Sequence, residues 1–299
     1  MCKLEIKELE HFIAVVDYEG FSKAASNIYV SQPTLSKSIK KLEETLNVVL
    51  FERSTRKLEL TDAGELVYHK ALKIIQATEE LRTALDDLMN EPSGEIKIGI
   101  PPLIGTLFFP TIAKKFEQMY PNISLKLIEH GAKKIEYLVD EGKVDVAIVV
   151  LPVNNNKFTV SPFINEEFKL FIHANHKLAN RQQVHIKELE NEPFILFNQE
   201  FSLHDLVINY CETKGNFKPN IAYESSQWDV IAELVSAELG ITLLPGLIYE
   251  KMDQNAIKTV ALESPPMWVL GIITKKDRYL SYAVRSLLQF LKNNYYDEI

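Results

Sequence analysis

Apolar residues in the first ninety positions recur at helical spacing. Leu9, Phe12, Ile13 and Val16 share one face of a helix that Gly20 ends. A second helix is predicted over about 22–29. A third starts at Ser31, with Leu35, Ile39, Leu42 and Leu46 on one face. In LFERSTRKLELT, residues 50–61, Leu58 and Leu60 alternate with charges, which predicts a short hairpin. From Thr61 to about Met89, the residues Val67, Ala71, Ile74, Thr78, Leu81, Leu85 and Leu88 form a heptad seam, weakest at Thr78. A helix of that span is about 40 Å long. It is either a core helix of the larger domain or a pairing helix for a second copy. Its length exceeds what the small domain before it can bury. That favours pairing, through Val67, Ile74, Leu81, Leu85 and Leu88.

EPSG at 91–94 breaks this helix, and the pattern then changes. EIKIGI (95–100), ISLKLIE (123–129) and VDVAIVV (144–150) read as strands, with amphipathic helices around KKFEQMY and KKIEYLV between them. A second α/β unit follows: strands FKLFIHA (168–174), PFILF (193–197), IAYE (221–224) and GITLLP (240–245), with helices from about Ser202 and Ser226. MWVLGIIT (267–274) and a helix over about 279–293 close the chain. The order is that of doubly wound sheets. Two such lobes joined by crossing strands make a cleft, and open α/β sheets take ligands at the carboxyl ends of their strands. The fold class expected is α/β overall: an all-α N-terminal domain with a hairpin wing, a long linker helix, and a two-lobed α/β domain. Its limits are 1–60, 61–90 and 91–299. Lobe I covers about 91–162 and 267–299, and lobe II about 163–266.

Charge sharpens the N-terminal part. The 299-residue chain carries a net charge of −8, yet residues 22–42 hold Lys23, Lys37, Lys40 and Lys41 and no acid. Overall acidity argues against non-specific coating of nucleic acid. A local basic patch on a helix pair with a short turn fits a helix-turn-helix. Ser31 suits the N-cap of its second helix, and Pro33 falls in the first turn, where no intrahelical N–H partner is lost. Gln32, Thr34, Ser36 and Lys37 then face DNA. Glutamine bonds adenine bidentately, and threonine touches a thymine methyl. Ser31, Lys37, Lys40 and Lys41 suit phosphates. Arg53, Arg56 and Lys57 place cations on the hairpin, where an arginine enters a minor groove. The competing reading is an amphipathic pair whose lysines are merely solvated.

The stretch FSKAASNIYVSQPTLSKSIKKLEETLNVVLFERSTRKLELTDAGE resembles the DNA-binding domain of LysR-type transcriptional regulators. The resemblance rests on Phe21, Ala24, Ala25, Ser31, Gln32, Pro33, Ser36, Ile39, Leu42, Glu43, Leu50, Phe51, Arg53, Leu60, Thr61 and Gly64. It extends along the chain through HKLA (176–179) and GITLLP. It implies a winged helix-turn-helix, a dimerisation helix, and an effector domain like periplasmic solute-binding proteins. The DNA-binding residues it implies are Ser22, Lys23, Ser31, Gln32, Pro33, Thr34, Ser36, Lys37, Lys40, Arg53 and Arg56. The implied partners are double-stranded promoter DNA, a small-molecule effector, a homodimer or homotetramer, and RNA polymerase where the protein activates. EHGAKKIE and VLPVNNNKF are most similar to a branch of Gram-positive regulators linked to small organic acids.

The resemblance places the effector between the lobes, against four segments. PPLIG brings Pro102, Leu103, Gly105 and Thr106. EHGAK brings His130, Gly131 and Lys133. The NQEFS region brings Asn198 and Ser202, and ESSQ brings Ser225 and Ser226. Helix starts near Thr106, Ser202 and Ser226 favour an anion, so a carboxylate is the expected class. Pro101 and Pro102 depart from the family pattern, because proline donates no N–H. His130 and Lys133 are candidate counter-charges. They also read as a plain loop histidine and a solvated lysine, and Ser225 and Ser226 also read as simple helix caps.

Other classes fit less well. His173 and His176 lack a cysteine or acid at ligand spacing, so no metal is expected. No glycine-rich phosphate loop and no G-x-S-x-G elbow occurs, so neither catalytic residues nor a cofactor are expected. Cys2 and Cys211 lie far apart in the sequence, which suits reduced thiols in a cytoplasmic protein, with a redox pair as the alternative. No apolar run is long enough to span a membrane, and the acids in MCKLEIKELEHF oppose a secretory signal. A stand-alone solute-binding protein would carry such a signal and no basic wing.

Overall fold

A computed structural model describes residues 4–52, 58–89 and 93–295. The chain divides into two compact units, Met1–Asn90 and Glu91–Ile299.

In the first unit, α1 (Ile6–Asp17), α2 (Phe21–Asn27) and α3 (Gln32–Leu46) pack on the start of α4 (Asp62–Met89). Phe12, Val15, Leu35, Leu42 and Leu50 are fully buried at the centre. Phe12 meets the Phe51 ring edge-on at 5.5 Å. Ala24 and Ala25 are buried, and their small side chains let α2 sit close to its neighbours. The end of α1 differs from expectation. The helix stops at Asp17, and Glu19 (φ 51°) takes the left-handed position, while Gly20 begins α2 as its N-cap. The turn is closed by Gly20 N–H donating to Val15 O, so the backbone reverses one residue before the glycine.

The expected hairpin begins and ends as predicted. Phe51 pairs antiparallel with Leu60, and Glu52 N–H donates to Glu59 O at 2.8 Å. Arg53, Arg56 and Lys57 lie outside the described residues. Three bonds fix the hairpin's base. Glu43 accepts Leu50 N–H (2.8 Å), Thr61 Oγ1 donates to Val49 O (2.7 Å), and Thr61 Oγ1 accepts Gly64 N–H (2.9 Å). Gly64 is held to glycine by sterics, since a Cβ there would lie 2.1 Å from Leu50 O.

The second unit is two-lobed. Parallel strands β1 (Gly94–Gly99), β2 (Ile123–Ile128) and β3 (Val146–Val150) alternate with α5 (Pro102–Met119) and α6 (Ala132–Asp140). The strand β4 (Phe158–His173) was expected only from residue 168, but it is a 16-residue strand. Its first part pairs with β10 (Met267–Lys275), and from Phe168 onward it pairs with β8 (Thr242–Pro245) and β9 (Ile257–Leu262). One strand therefore serves both lobes. The sequence hid this because NEE at 165–167 breaks the apolar pattern where the strand passes between cores. The sheet order is β2-β1-β3-β10-β4-β9-β5, with β5 at Gln183–Val184. In lobe II, β6 (Pro193–Phe197) and β7 (Asn220–Ser225) form a parallel pair with α7 (Ser202–Tyr210) and α8 (Trp228–Ser236) beside them. Gly240 allows a close approach here, since a Cβ would meet Pro193 O at 2.5 Å. The last helix, α9 (Tyr282–Tyr295), packs on lobe I.

Candidate functional site

The face of α3 that is not buried carries the candidate DNA contacts. Ser31 is the extended N-cap, and its Oγ accepts Thr34 N–H at 3.3 Å. Pro33 stands in the first turn, where its missing N–H costs nothing. Leu35, Ile39 and Leu42 anchor the opposite face. Ser22, Lys23, Ser31, Gln32, Pro33, Thr34, Ser36, Lys37 and Lys40 are all exposed. Ser22 Oγ donates to Gln32 Oε1 at 3.1 Å, tying the start of α2 to the start of α3. Tyr29, in the turn between these helices, was not anticipated. It is 95% exposed with a left-handed backbone (φ 56°), and its position in the turn is the only sequence signal it gave.

One expected phosphate contact is corrected. Lys41 Nζ is held by Glu8 at 2.6 Å and Glu5 at 2.9 Å, which pushes its pKa up to about 12. The lysine ties α3 to the start of α1 instead of presenting a spare charge. Lys40 has only a loose, exposed pair with Glu44 at 3.7 Å.

The helix α4 has two faces. Tyr68 and Ala71 are buried against the helix-turn-helix core, with Val67, Leu72 and Ile75 partly buried beside them. Val67, expected at a pairing face, thus packs within its own unit. Its helical position borders the buried stripe, and the seam pattern could not separate the two. Ile74, Leu81, Leu85 and Leu88 are 41, 62, 50 and 83% exposed.

In the second unit the lobes meet over a small enclosed cavity of about 20 Å³. Lobe I contributes Pro101, Leu103, Ile104 and Ala132, and lobe II contributes Phe197, Phe201, Ser202 and Leu203. Val150 and Trp268, from the ends of β3 and β10, complete the wall. These residues include the first turns of α5, α6 and α7. Helix geometry leaves first-turn N–H groups without intrahelical acceptors, and the helix dipoles add positive potential. Pro102 removes one donor, but Leu103 and Ile104 keep theirs. Glu129 lies beside the first turn of α5, with Oε1 3.3 Å from where a Cβ on Gly105 would stand. It offsets part of that helix's potential. Two further contacts cross the cleft. Trp228 Nε1 donates to Thr106 Oγ1 at 3.3 Å, and Thr106 Oγ1 donates to Pro102 O. Gly131 faces the Glu200 carbonyl, which a Cβ there would meet at an ordinary contact distance of 3.5 Å.

Of the expected effector residues, the wall takes only Leu103 and Ser202. Gly105 lies beside the Glu129 carboxylate, Gly131 lies beside the Glu200 carbonyl, and Thr106 bridges the lobes. Pro102 occupies the first turn of α5 without joining the wall. His130 and Lys133 are exposed. Asn198 Oδ1 caps Glu200 N–H, and Ser225 Oγ accepts Gln227 N–H. Ser226 precedes α8 by two residues, because Gln227 is the extended N-cap. The aromatic wall of Phe197, Phe201 and Trp268 was missed, because sequence marks these residues as core without saying which core edge opens on the cleft. His176 pairs with Glu192 at 3.4 Å and His173 with Glu238 at 3.1 Å, each with its own carboxylate. Among the described residues no cluster of histidine, cysteine and acid is arranged to hold a metal, and no helix is long and apolar enough to cross a membrane.

Comparison with known proteins agrees with this architecture. Residues 6–65 match the bacterial regulatory helix-turn-helix protein, lysR family, and residues 89–295 match the LysR substrate binding domain. The uncharacterized HTH-type transcriptional regulator YwbI of Bacillus subtilis is 42% identical over 295 residues, covering 98% of both chains. A hydrogen peroxide-inducible genes activator of Dickeya chrysanthemi is 30% identical over 244 residues, covering 82% of this chain and 80% of its own. A full-length OxyR variant from Pseudomonas aeruginosa has the same fold, with a TM-score of 0.80 at 23% identity, over 97% of this chain and 95% of that one. These relatives are regulators and not enzymes. A helix-turn-helix unit, a long helix and a two-lobed α/β unit, each matching over nearly its whole length, make this chain a member of the LysR family of DNA-binding transcriptional regulators with an effector-binding domain.

Proposed function

We propose that two copies pair through the outward face of α4, present α3 to successive major grooves, and respond to a small carboxylate bound between the lobes. The observation that carries the effector reading is the convergence of three helix starts on one cavity. Positive helix ends and spare N–H groups favour an anionic acceptor. Gln32 and Thr34 are assigned to base edges. Ser36 stands with them toward the bases, Ser31, Lys37 and Lys40 are assigned to phosphates, and Ser22 and Lys23 are further DNA contacts, with Arg53 and Arg56 on the wing. A regulator of promoters works in the cytoplasm, and where it activates, RNA polymerase is its partner. A gel shift with the chain's own upstream DNA tests the reading. Binding at low salt that falls steeply as salt rises is expected, because neutralised phosphates release counterions. No shift at low salt would sink it.

The peroxide-inducible relative suggests a second reading, a thiol sensor. Cys211 opposes it. The thiol is fully buried, and burial pushes its pKa up to about 12, leaving almost no reactive thiolate. Peroxide treatment is expected to leave DNA binding unchanged, and a loss reversed by a thiol reductant would favour the sensor.

A further inference from the structure

Trp268 stands out among the buried polar groups. Its side chain is fully buried, and its Nε1–H has no hydrogen-bond partner among the described residues. Buried donors are ordinarily paired, so an orphan calls for a reason. The other tryptophan, Trp228, does have an acceptor, Thr106. Trp268 is also one of the residues that line the cavity between the lobes. The rest of that wall is mostly aliphatic and aromatic carbon, with Ser202 as its one polar side chain and no charged side chain. An unpaired donor on a residue that lines an otherwise apolar, enclosed site fits a ligand oxygen.

We infer that the Trp268 indole N–H is the buried hydrogen-bond donor to the effector. The effector is then a compact, largely apolar molecule whose acceptor oxygen occupies the inner cavity. This rests on the reading of the cleft as a carboxylate site and specifies it further. The acceptor end meets the indole and the first turns of α5, α6 and α7, while the hydrocarbon body lies against Phe197, Phe201 and Ile104. A polyhydroxylated or cationic ligand is disfavoured, because the wall offers neither side-chain acceptors in number nor a carboxylate. The cavity of about 20 Å³ holds no more than one small group. Binding a whole molecule therefore parts the lobes, and the Trp228–Thr106 bond that spans them is broken or remade.

The test uses the full-length chain and three probes: benzoate, 2-methylpropanoate and 4-methylpentanoate. Thermal shift and titration compare wild type with Trp268→Phe, which keeps a ring and removes the donor. A probe that stabilises wild type is expected to bind the variant about tenfold more weakly, the loss of one hydrogen bond. The unliganded variant is expected to melt somewhat lower than wild type, because phenylalanine leaves part of the fully buried indole's space empty, so the comparison is one of affinities. Equal affinity in the two proteins overturns the inference. In Trp228→Phe, Trp268 is the sole tryptophan. Its emission is expected to change when a stabilising probe is added, and an unmoved emission also overturns the inference. If no probe stabilises wild type, the carboxylate reading itself fails; if a probe stabilises both proteins equally, only the role of Trp268 fails.

Discussion

Replacing Ile74 and Leu81 together by aspartate tests the pairing helix. Both residues belong to the α4 face that the chain leaves uncovered, at 41 and 62% exposure. Burying such a side chain completely is worth about 2 kcal/mol, so the still-exposed fractions can contribute roughly 1 kcal/mol each. Two positions on two copies make about 4 kcal/mol of apolar burial lost. Four carboxylates without partners at the interface cost several kcal/mol more. A total of about 8 kcal/mol corresponds to between five and six powers of ten in the dissociation constant. Light scattering on a sizing column at micromolar concentration should therefore change from dimer to monomer. Folding should survive, because Tyr68 and Ala71, with Val67, Leu72 and Ile75, carry the packing of α4 on its own unit. A variant that stays dimeric refutes the assignment of the face. A variant that loses its N-terminal melting transition refutes the claim that Ile74 and Leu81 stand outside the chain's own core.

Three further outcomes are expected. Gln32→Ala should relax base preference in a selection from random DNA, while Lys40→Ala should weaken all sequences about equally and lower the salt slope by about 1. Identical behaviour of the two would contradict their roles. Gly64→Ala should destabilise the N-terminal unit by about 3 kcal/mol or more in chemical denaturation, because its Cβ would overlap Leu50 O; a loss under about 1 kcal/mol would mean that the turn yields easily. His11 is buried between α1 and α3, with Nδ1 2.8 Å from Ser38 Oγ. Burial first, and the Lys7 charge second, lower its pKa from 6.5. The unfolded chain therefore binds the proton more readily, and stability present above pH 6.5 is lost as pH falls through the folded value. His11→Gln should flatten the melting temperature of this unit between about pH 7 and 5; an unchanged slope would place the titration elsewhere.

Much of the N-terminal unit was legible because its determinants are local. The interval pattern of Leu35, Ile39 and Leu42 marks a buried face, Ser31 caps through a residue three positions on, and Pro33 is tolerated only in a first turn. These interactions lie within one helical turn, so sequence spacing reports them. Lys41 was misjudged for the opposite reason. Its partners, Glu5 and Glu8, lie more than thirty positions away, and only the packing of α3 on α1 brings them within hydrogen-bond reach.

The cleft shows the same division more sharply. The alternation of strands and helices after residue 94 determined two α/β lobes, and the helix starts announced donors for an anion. Sequence could not show that β4 runs on through both lobes, since a strand leaving one core for another loses its apolar pattern at the crossing. Nor could it single out Trp268 from the other buried aromatics. Burial follows from hydrophobicity, but an unpaired N–H beside a cavity depends on what every surrounding element fails to supply. Sequence alone thus determined which elements form and which chemistry each helix end offers. Tertiary structure decided which of those ends meet, which charges are already taken, and which donor is left waiting. Hydrogen bonds and cavities are properties of neighbours in space, and only local neighbours are written in the order of the chain.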